Sequence, residues 1–270
     1  MLTLTPLIDI PLIRQGDNLA DILLESLKAT EITLQKDDIL VIAQKIVSKA
    51  EGRMVDLKTV KPSKQALELA EQSEKDPRVV ELILQESNEI LRVRPGAIIV
   101  EHRLGFVCAN AGIDHSNVSP STEKVFHTSS LATESNASNN SDDWVLLLPE
   151  HPDGSAERTR QDIETAIQVH TGVLIIDSHG RAWREGTVGT AIGISGLPGL
   201  LDLRGKPDLF GFRLRITQVG VADELAAAAS LMMGQAAEGT PVVHARGFPY
   251  PLRDGSLNEL LRPKKQDLFR

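Results

Sequence analysis

Val173-Leu174-Ile175-Ile176-Asp177-Ser178-His179-Gly180-Arg181-Ala182-Trp183-Arg184 begins apolar and turns polar at Asp177. Val, Leu and two Ile in a row, bounded by polar residues, predict a short buried strand. Such a strand delivers Asp177 and Ser178 to its C-terminal end, where the ligand sites of α/β sheets gather. An acid followed by a hydroxyl can hold a metal ion through its oxygens, and Arg181 and Arg184 can meet a phosphate or a carboxylate. A strand-ending turn with two surface arginines explains the same residues equally well. Gly186, Gly189, Gly193, Gly196 and Gly199 follow. Their spacing fits neither a Walker A loop nor a dinucleotide-binding fingerprint, so neither a P-loop nor a Rossmann fold is expected.

Working outward, residues 213–221 predict a strand, 223–236 an Ala-rich helix, and 241–245 a last strand before a polar tail. On the other side, 155–170 predict an amphipathic helix with Ile163, Ala166 and Ile167 inward and Asp153 or Ser155 near its cap. Residues 119–143 are crowded with Ser, Thr and Asn and lack apolar periodicity, and read as a mobile surface insertion. Farther upstream, 97–100 and 105–108 look like paired strands, and 63–74 and 77–86 like helices, the second opening on Pro77. Ile39–Ala43 predicts a buried strand running into residues 44–49. Asp17 and Asn18 supply cap chemistry for a helix that carries Leu19, Ile22, Leu23 and Leu27 on one face, after a short strand and loop within residues 2–13. Helices and strands alternate irregularly, which predicts a mixed α+β fold rather than a regular doubly wound sheet.

The composition narrows the function. Of 270 residues, 41% are hydrophobic and 24% charged, which is ordinary for a globular chain. Aromatics amount to only 3%, too few to build a base-stacking surface. A formal net charge of −8 disfavours nucleic acid and anionic membranes as partners. No apolar run is long enough for a membrane helix, and the first residues lack a signal-peptide pattern. The single Cys108 fits a reducing, cytoplasmic setting and reads as a small buried residue. No HExxH-like spacing is present, so zinc-hydrolase chemistry is not expected.

Three further clusters join Asp177-Ser178. In Gln44-Lys45-Ile46-Val47-Ser48-Lys49, the two lysines lie four apart and would share a helix face. Such a pair suits a phosphate chain, although a solvated basic face is the plainer reading. Cys108-Ala109-Asn110-Ala111-Gly112-Ile113-Asp114-His115-Ser116-Asn117 leads from an apolar run into a loop with a carboxylate suited to a hard divalent cation, or into an ordinary Asx turn. Gly234-Gln235-Ala236-Ala237-Glu238-Gly239-Thr240 offers Gln235 as an amide ligand, or simply a glycine helix cap. Together the clusters supply acids, a hydroxyl, an amide, lysines and arginines, with no nucleophile–base pair. That inventory suits metal-assisted phosphoryl chemistry rather than acyl-enzyme chemistry.

At these clusters the chain resembles the coenzyme F420-0:L-glutamate ligase family. The resemblance runs through Ile10-Pro11-Leu12-Ile13 with Gly16-Asp17, residues 44–53 and 107–118, and Leu147-Leu148-Pro149-Glu150-His151-Pro152-Asp153-Gly154-Ser155-Ala156. It continues through 176–184, 222–241, Arg246-Gly247 and 260–262. It implies an α+β fold of the family's own type, one unit over 1–270 made of two intertwined subdomains, acting as a homodimer with GTP in a groove near the subunit interface. It also implies the reaction: GTP phosphorylates the terminal carboxylate of F420-0, and L-glutamate attacks the acyl phosphate to form an amide. Further γ-linked glutamates follow in some members. Two divalent ions, Mg or Mn, would be needed, with K assisting.

Carried over by position, Pro11, Leu12, Ile13, Arg14, Gln44, Lys45, Lys49 and Asn117 would contact GTP. So would Met233, Gly234, Gln235, Ala236, Ala237, Glu238, Gly239 and Thr240. Asp114 and Asp177 would share one divalent ion and act in catalysis, while Ser178 and Gln235 would help to hold a second. Ser178 stands where the family usually has Thr, and His115 where Arg is common. A paralogous ligase acting on a different phosphorylated acid, or a GTP-binding module without chemistry, would use the same nucleotide site.

Overall fold

The computed structural model describes residues 1–118 and 143–267. In chain order its main elements are β1 (Thr3–Pro6), α1 (Leu19–Ala29), β2 (Ile39–Ala43), α2 (Gln44–Ala50), β3 (Met54–Asp56), α3 (Lys64–Ser73), α4 (Pro77–Gln85), β4 (Ser87–Arg94), β5 (Ala97–His102) and β6 (Val107–Ala109). After the undescribed stretch come β7 (Trp144–Leu146), α5 (Pro152–Ile167), β8 (Gly172–Arg181), β9 (Arg184–Ser195), β10 (Leu201–Asp202), β11 (Gln218–Val219), α6 (Val221–Met233) and β12 (Val242–Arg246). Among the described residues, the largest sheet has five strands in the order β1-β12-β2-β8-β9. A three-stranded sheet β4-β5-β6 and the pair β3-β7 stand beside it, so the fold is mixed α+β, as expected.

Only β2 and β8 run parallel in the large sheet, and their ladder ends at Ala43 opposite Ile176. Their sequences, Ile-Leu-Val-Ile-Ala and Val-Leu-Ile-Ile, are apolar on both faces because helices cover both sides. Leu40, Ile42, Val173 and Ile175 face a core shared with α1 and α5. Ile39, Val41, Leu174 and Ile176 face α6. This alternation governs where the polar residues beyond Ile176 point. A third core, including Leu57, Ala66, Val80, Ile83, Ile98, Val100 and Val145, lies between α3, α4 and the smaller sheets.

Local chemistry explains the boundaries. Asn18 caps α1 through its side-chain oxygen, Ser63 caps α3, and Pro77 opens α4. Helix α5 starts at Pro152, three residues before the expected start, and Asp153 accepts from Ile194 N at 2.8 Å instead of capping. β8 differs more from expectation, because it continues through Asp177 to Arg181 in a hairpin with β9. Antiparallel pairing with β9 sustains it after β2 has turned into α2. Two glycines of β9, Gly189 and Gly193, serve close packing. A Cβ on Gly189 would meet Ala226 O and Ser230 Cβ, both at 2.5 Å, and one on Gly193 would meet Pro152 O at 2.6 Å. β4 was not anticipated, and of residues 213–221 only Gln218–Val219 form a strand. The insertion expected at 119–143 lies outside the described residues except for Asp143, which pairs with Lys58 at 2.9 Å. No helix among the described residues is long and apolar enough to cross a membrane.

Candidate active site

The four clusters meet at one edge of the large sheet. β2 ends at Ala43, α2 begins at Gln44, and the parallel ladder with β8 stops there. The loop from α6 returns to β12 at the same edge, where Ala43 N donates to Pro241 O at 2.8 Å. This is the carboxyl end of the parallel pair, the place where α/β sheets open a crevice.

Asp114 arrives from the other side of the molecule. Asn110, Ala111 and Gly112 all have left-handed backbone, with φ of 53°, 52° and 65°. Left-handed conformation costs an alanine on the order of 1 kcal/mol, and it is held here by surrounding contacts. Asn110 Oδ1 accepts from Ile98 N at 3.0 Å, and a Cβ on Gly112 would meet the Leu148 side chain at 2.7 Å. Asp114 then exchanges both backbone hydrogen bonds with Leu146, at 3.0 and 2.9 Å, which pins it to β7.

The side chains of α2 close on this loop. Gln44 Nε2 donates to Asp114 Oδ2 at 2.8 Å, while Gln44 Oε1 accepts from the buried Ser48 hydroxyl at 2.8 Å. Ser48 thus fixes which end of the amide faces the carboxylate. Lys45 Nζ lies 3.2 Å from Asp114 Oδ2 and donates to Ser116 Oγ at 2.8 Å. Lys49 Nζ donates to Asn117 O at 2.8 Å. The two lysines therefore do share a face, and the oxygen-rich loop 114–117 lies against it. Burial, helped by the charge of Lys45, pushes the Lys49 ammonium below its ordinary value.

On the opposite face of β8, the Ser178 hydroxyl donates to Gln235 Oε1 at 2.9 Å, and Gln235 Nε2 donates to Ser230 Oγ at 2.9 Å. The arrangement mirrors Gln44: a serine on a helix orients a glutamine toward an oxygen ligand. Asn117 joins the two halves, its Nδ2 donating to Ala236 O at 3.1 Å. Within the loop 233–240, Ala236 N donates to Glu238 Oε2 at 2.8 Å and Thr240 Oγ1 to Met233 O at 3.0 Å. Gly234 ends α6 with φ of 73°, so the cap and the ligand readings of this segment coexist.

Alternation along β8 puts Asp177 and Ser178 on opposite faces, Ser178 toward Gln235 and Asp177 toward Asp114. Burial pushes the Asp114 carboxyl up from its ordinary value; the charge of Asp177 adds to this, and Lys45 and Gln44 oppose it. Two carboxylates, a hydroxyl and an amide oxygen are hard donors of the kind a Mg or Mn ion takes. A divalent cation would also relieve the repulsion between the two acids, so the residues present fit such an ion. Among the described residues, no three His, Cys, Asp or Glu side chains close on one point unaided.

Pro11–Arg14 connect to this assembly through α2. Ile13 is buried in the core, Arg14 N donates to Asp17 Oδ2 at 2.7 Å, and Gly16 N donates to Ala50 O at 2.8 Å. His115 is exposed. Arg181 and Arg184 sit at the turn of the β8–β9 hairpin, where Arg181 donates to Gly186 O at 3.0 Å. Cys108 is buried, its thiol pushed up by burial to about 12, which removes it from chemistry. Sequence reading missed Ser48 and Ser230, although Ser48 stands at the helical i+4 position from Gln44. It also assigned nothing to His179, which is two residues from Asp177 and therefore on its face of the strand.

Comparison with known proteins bears on this arrangement. The family model for F420-0:gamma-glutamyl ligase matches residues 7–130 and 131–247. The coenzyme F420:L-glutamate ligase of Methanothermobacter thermautotrophicus is 46% identical over 262 residues, covering 96% of this chain and 95% of its own. That of Methanopyrus kandleri is 44% identical over 262 residues, covering 96% and 93%. The ligase of Archaeoglobus fulgidus is 37% identical over 265 residues, covering 98% and 95%. With a family model spanning most of its length and relatives of this similarity end to end, the chain belongs to the F420-0:gamma-glutamyl ligase family.

Proposed function

We propose that this protein is a GTP-dependent ligase that joins L-glutamate to coenzyme F420-0 through an acyl phosphate, as one functional unit over 1–270 and in the cytoplasm. The observation that carries the reading is the convergence of Asp114, Asp177, Ser178 and Gln235 with Lys45 and Lys49 at one sheet edge, in a chain whose relatives bear the name coenzyme F420:L-glutamate ligase. In the first step a carboxylate oxygen of F420-0 attacks the γ-phosphorus of GTP and GDP leaves. In the second the glutamate amine attacks the acyl carbon, an amide forms, and inorganic phosphate carries away the former carboxylate oxygen. Further γ-linked glutamates would repeat the cycle.

The difficulty of the first step is bringing one anion to another. Asp114 and Asp177 would hold one divalent Mg or Mn ion, and Ser178 and Gln235 would help to hold a second, with K assisting. Bound there, such cations neutralise charge on the phosphate and the carboxylate. Lys45 and Lys49 supply two further positive charges that can turn from the loop 114–117 to a phosphate chain. Gln44, Asn117, Pro11–Arg14 and the loop 233–240 would frame the nucleotide. A homodimer completing the groove is part of the same reading.

Mass spectrometry of purified protein with F420-0, L-glutamate, GTP and Mn²⁺ tests it. Glutamylated F420 and stoichiometric GDP are expected. A product only with a different acid would favour a paralogous ligase, and GTP binding without GDP release would favour a non-catalytic module.

A further inference from the structure

His179 is one of the few buried polar side chains in this region whose hydrogen-bonding capacity is unmet. Its side chain is only 10% exposed, and among the described residues its Nε2 has no hydrogen-bond partner. Yet that nitrogen lies 3.0 Å from Asp177 Oδ2. At this separation a shared proton would normally make a hydrogen bond, and none is formed. Two potential metal-donor atoms this close without a bond between them can both serve a third point. In an octahedral sphere with bonds of about 2.1 Å, neighbouring ligand atoms lie about 3.0 Å apart. The ring is held in place by Phe106, whose centroid lies 5.2 Å away at 46°, and Phe106 stacks on His102 at 5.3 Å. Asp177 and His179 reach the same face because they are two apart on β8. Asp114 is close enough for the charge of Asp177 to act on it, and its Oδ2 is held by Gln44 and Lys45.

We propose that His179 Nε2 is, together with Asp177, a direct ligand of a divalent ion at this edge. This rests on the metal-dependent reading given above and goes beyond it by assigning a nitrogen donor and a metal preference. Carboxylate, hydroxyl and amide oxygens alone suit Mg²⁺ and Mn²⁺ alike. An imidazole ligand tilts the site toward Mn²⁺ and the later first-row ions, because Mg²⁺ gains little from nitrogen. His179 is a catalytic residue in this scheme only through the ion it would hold. The Phe106 contact limits how far the imidazole can tilt.

The test is electron paramagnetic resonance of the full chain titrated with Mn²⁺ alone, with pulsed detection of nitrogen coupled to the ion. Wild-type protein is expected to show one directly coupled nitrogen. His179→Phe, which keeps a ring against Phe106, should lose that coupling and about tenfold of its preference for Mn²⁺ over Mg²⁺. His179→Gln should lose the coupling as well. Bound Mn²⁺ without nitrogen coupling in the wild type, or coupling that survives in both variants, would overturn the assignment and leave the oxygen-ligand reading standing. Failure of the wild type to bind Mn²⁺ at all would overturn both. The wild-type spectrum decides the matter even where a variant folds poorly.

Discussion

The Ser178 hydroxyl donates to Gln235 Oε1 at 2.9 Å across 57 residues of chain, linking the middle of β8 to the loop that follows α6. The amide is turned that way by Ser230, which accepts from Gln235 Nε2 at 2.9 Å. Ser230 itself makes no claim on substrate, so it isolates the effect of orientation. Ser230→Ala leaves the amide free to rotate and is expected to weaken Mn²⁺ binding by about tenfold, the usual size of an outer-shell effect. Mn²⁺ titration of the variant measures it, and unchanged affinity would show that Gln235 is oriented by something else.

Gly189 stands opposite Ser178 in the β8–β9 ladder and directly beneath α6. A methyl group there would meet Ala226 O and Ser230 Cβ at 2.5 Å, so the helix must move. Gly189→Ala should cost about 1–3 kcal/mol of stability by overpacking. It should also lower activity by shifting Ser230 and Gln235. Gly180→Ala, where nothing lies within 4 Å of the new group, should stay within about 0.5 kcal/mol. Denaturant unfolding of the pair gives the comparison.

Asp38 is buried under the edge of the sheet with Arg246, which approaches it at 2.6 and 2.9 Å, and His244, whose Nε2 is 2.9 Å away. Burial alone would raise the carboxyl; the bonds from Arg246 and Gln35 N, with His244 close by, outweigh it and hold the acid below its ordinary value of 3.8. A depressed carboxylate stabilises the fold above the unfolded-state value and loses that contribution as pH falls through the folded-state value. The Asp38 contribution should therefore be complete at neutral pH, begin to fall at about pH 4, and be lost as pH drops through the lowered folded-state value. Asp38→Asn is expected to cost about 1.5–3 kcal/mol at pH 7, the loss of charged hydrogen bonds from a partly exposed Arg246. The gap between variant and wild type should close in acid. A gap independent of pH would mean that packing, not charge, accounts for it.

Cys108 provides a check on the third core. Burial raises its thiol to about 12, so almost no thiolate exists at pH 8. Native protein should resist a thiol-specific reagent at that pH and react with one equivalent after unfolding. Rapid native labelling would show that β6 opens readily.

The parts of this architecture legible in the sequence are those set by local pattern. The Ile39–Ala43 run, the Asn18 cap, and Pro77 at a helix start each follow from one segment's own chemistry. Of the residues that the resemblance proposes for a site, Gln44, Lys45 and Asp114 lie in contact, as do Ser178 and Gln235. What the sequence withheld depends on partners distant in the chain. β8 extends past Asp177 only because β9 pairs with it, and β9 hid behind glycines that admit α5 and α6. Ser48, Ser230 and His179 are ordinary residues until the fold shows what each faces.

In the proposed reaction, carboxylate activation proceeds through an acyl phosphate formed from GTP. F420-0 carrying ¹⁸O in its terminal carboxylate, incubated with the protein, GTP, Mn²⁺ and L-glutamate, tests it most directly. One labelled oxygen should appear in the released phosphate for each amide formed, and neither product nor labelled phosphate should form with Asp114→Asn or Asp177→Asn. Amide formation with unlabelled phosphate, or full activity in either variant, would contradict the account.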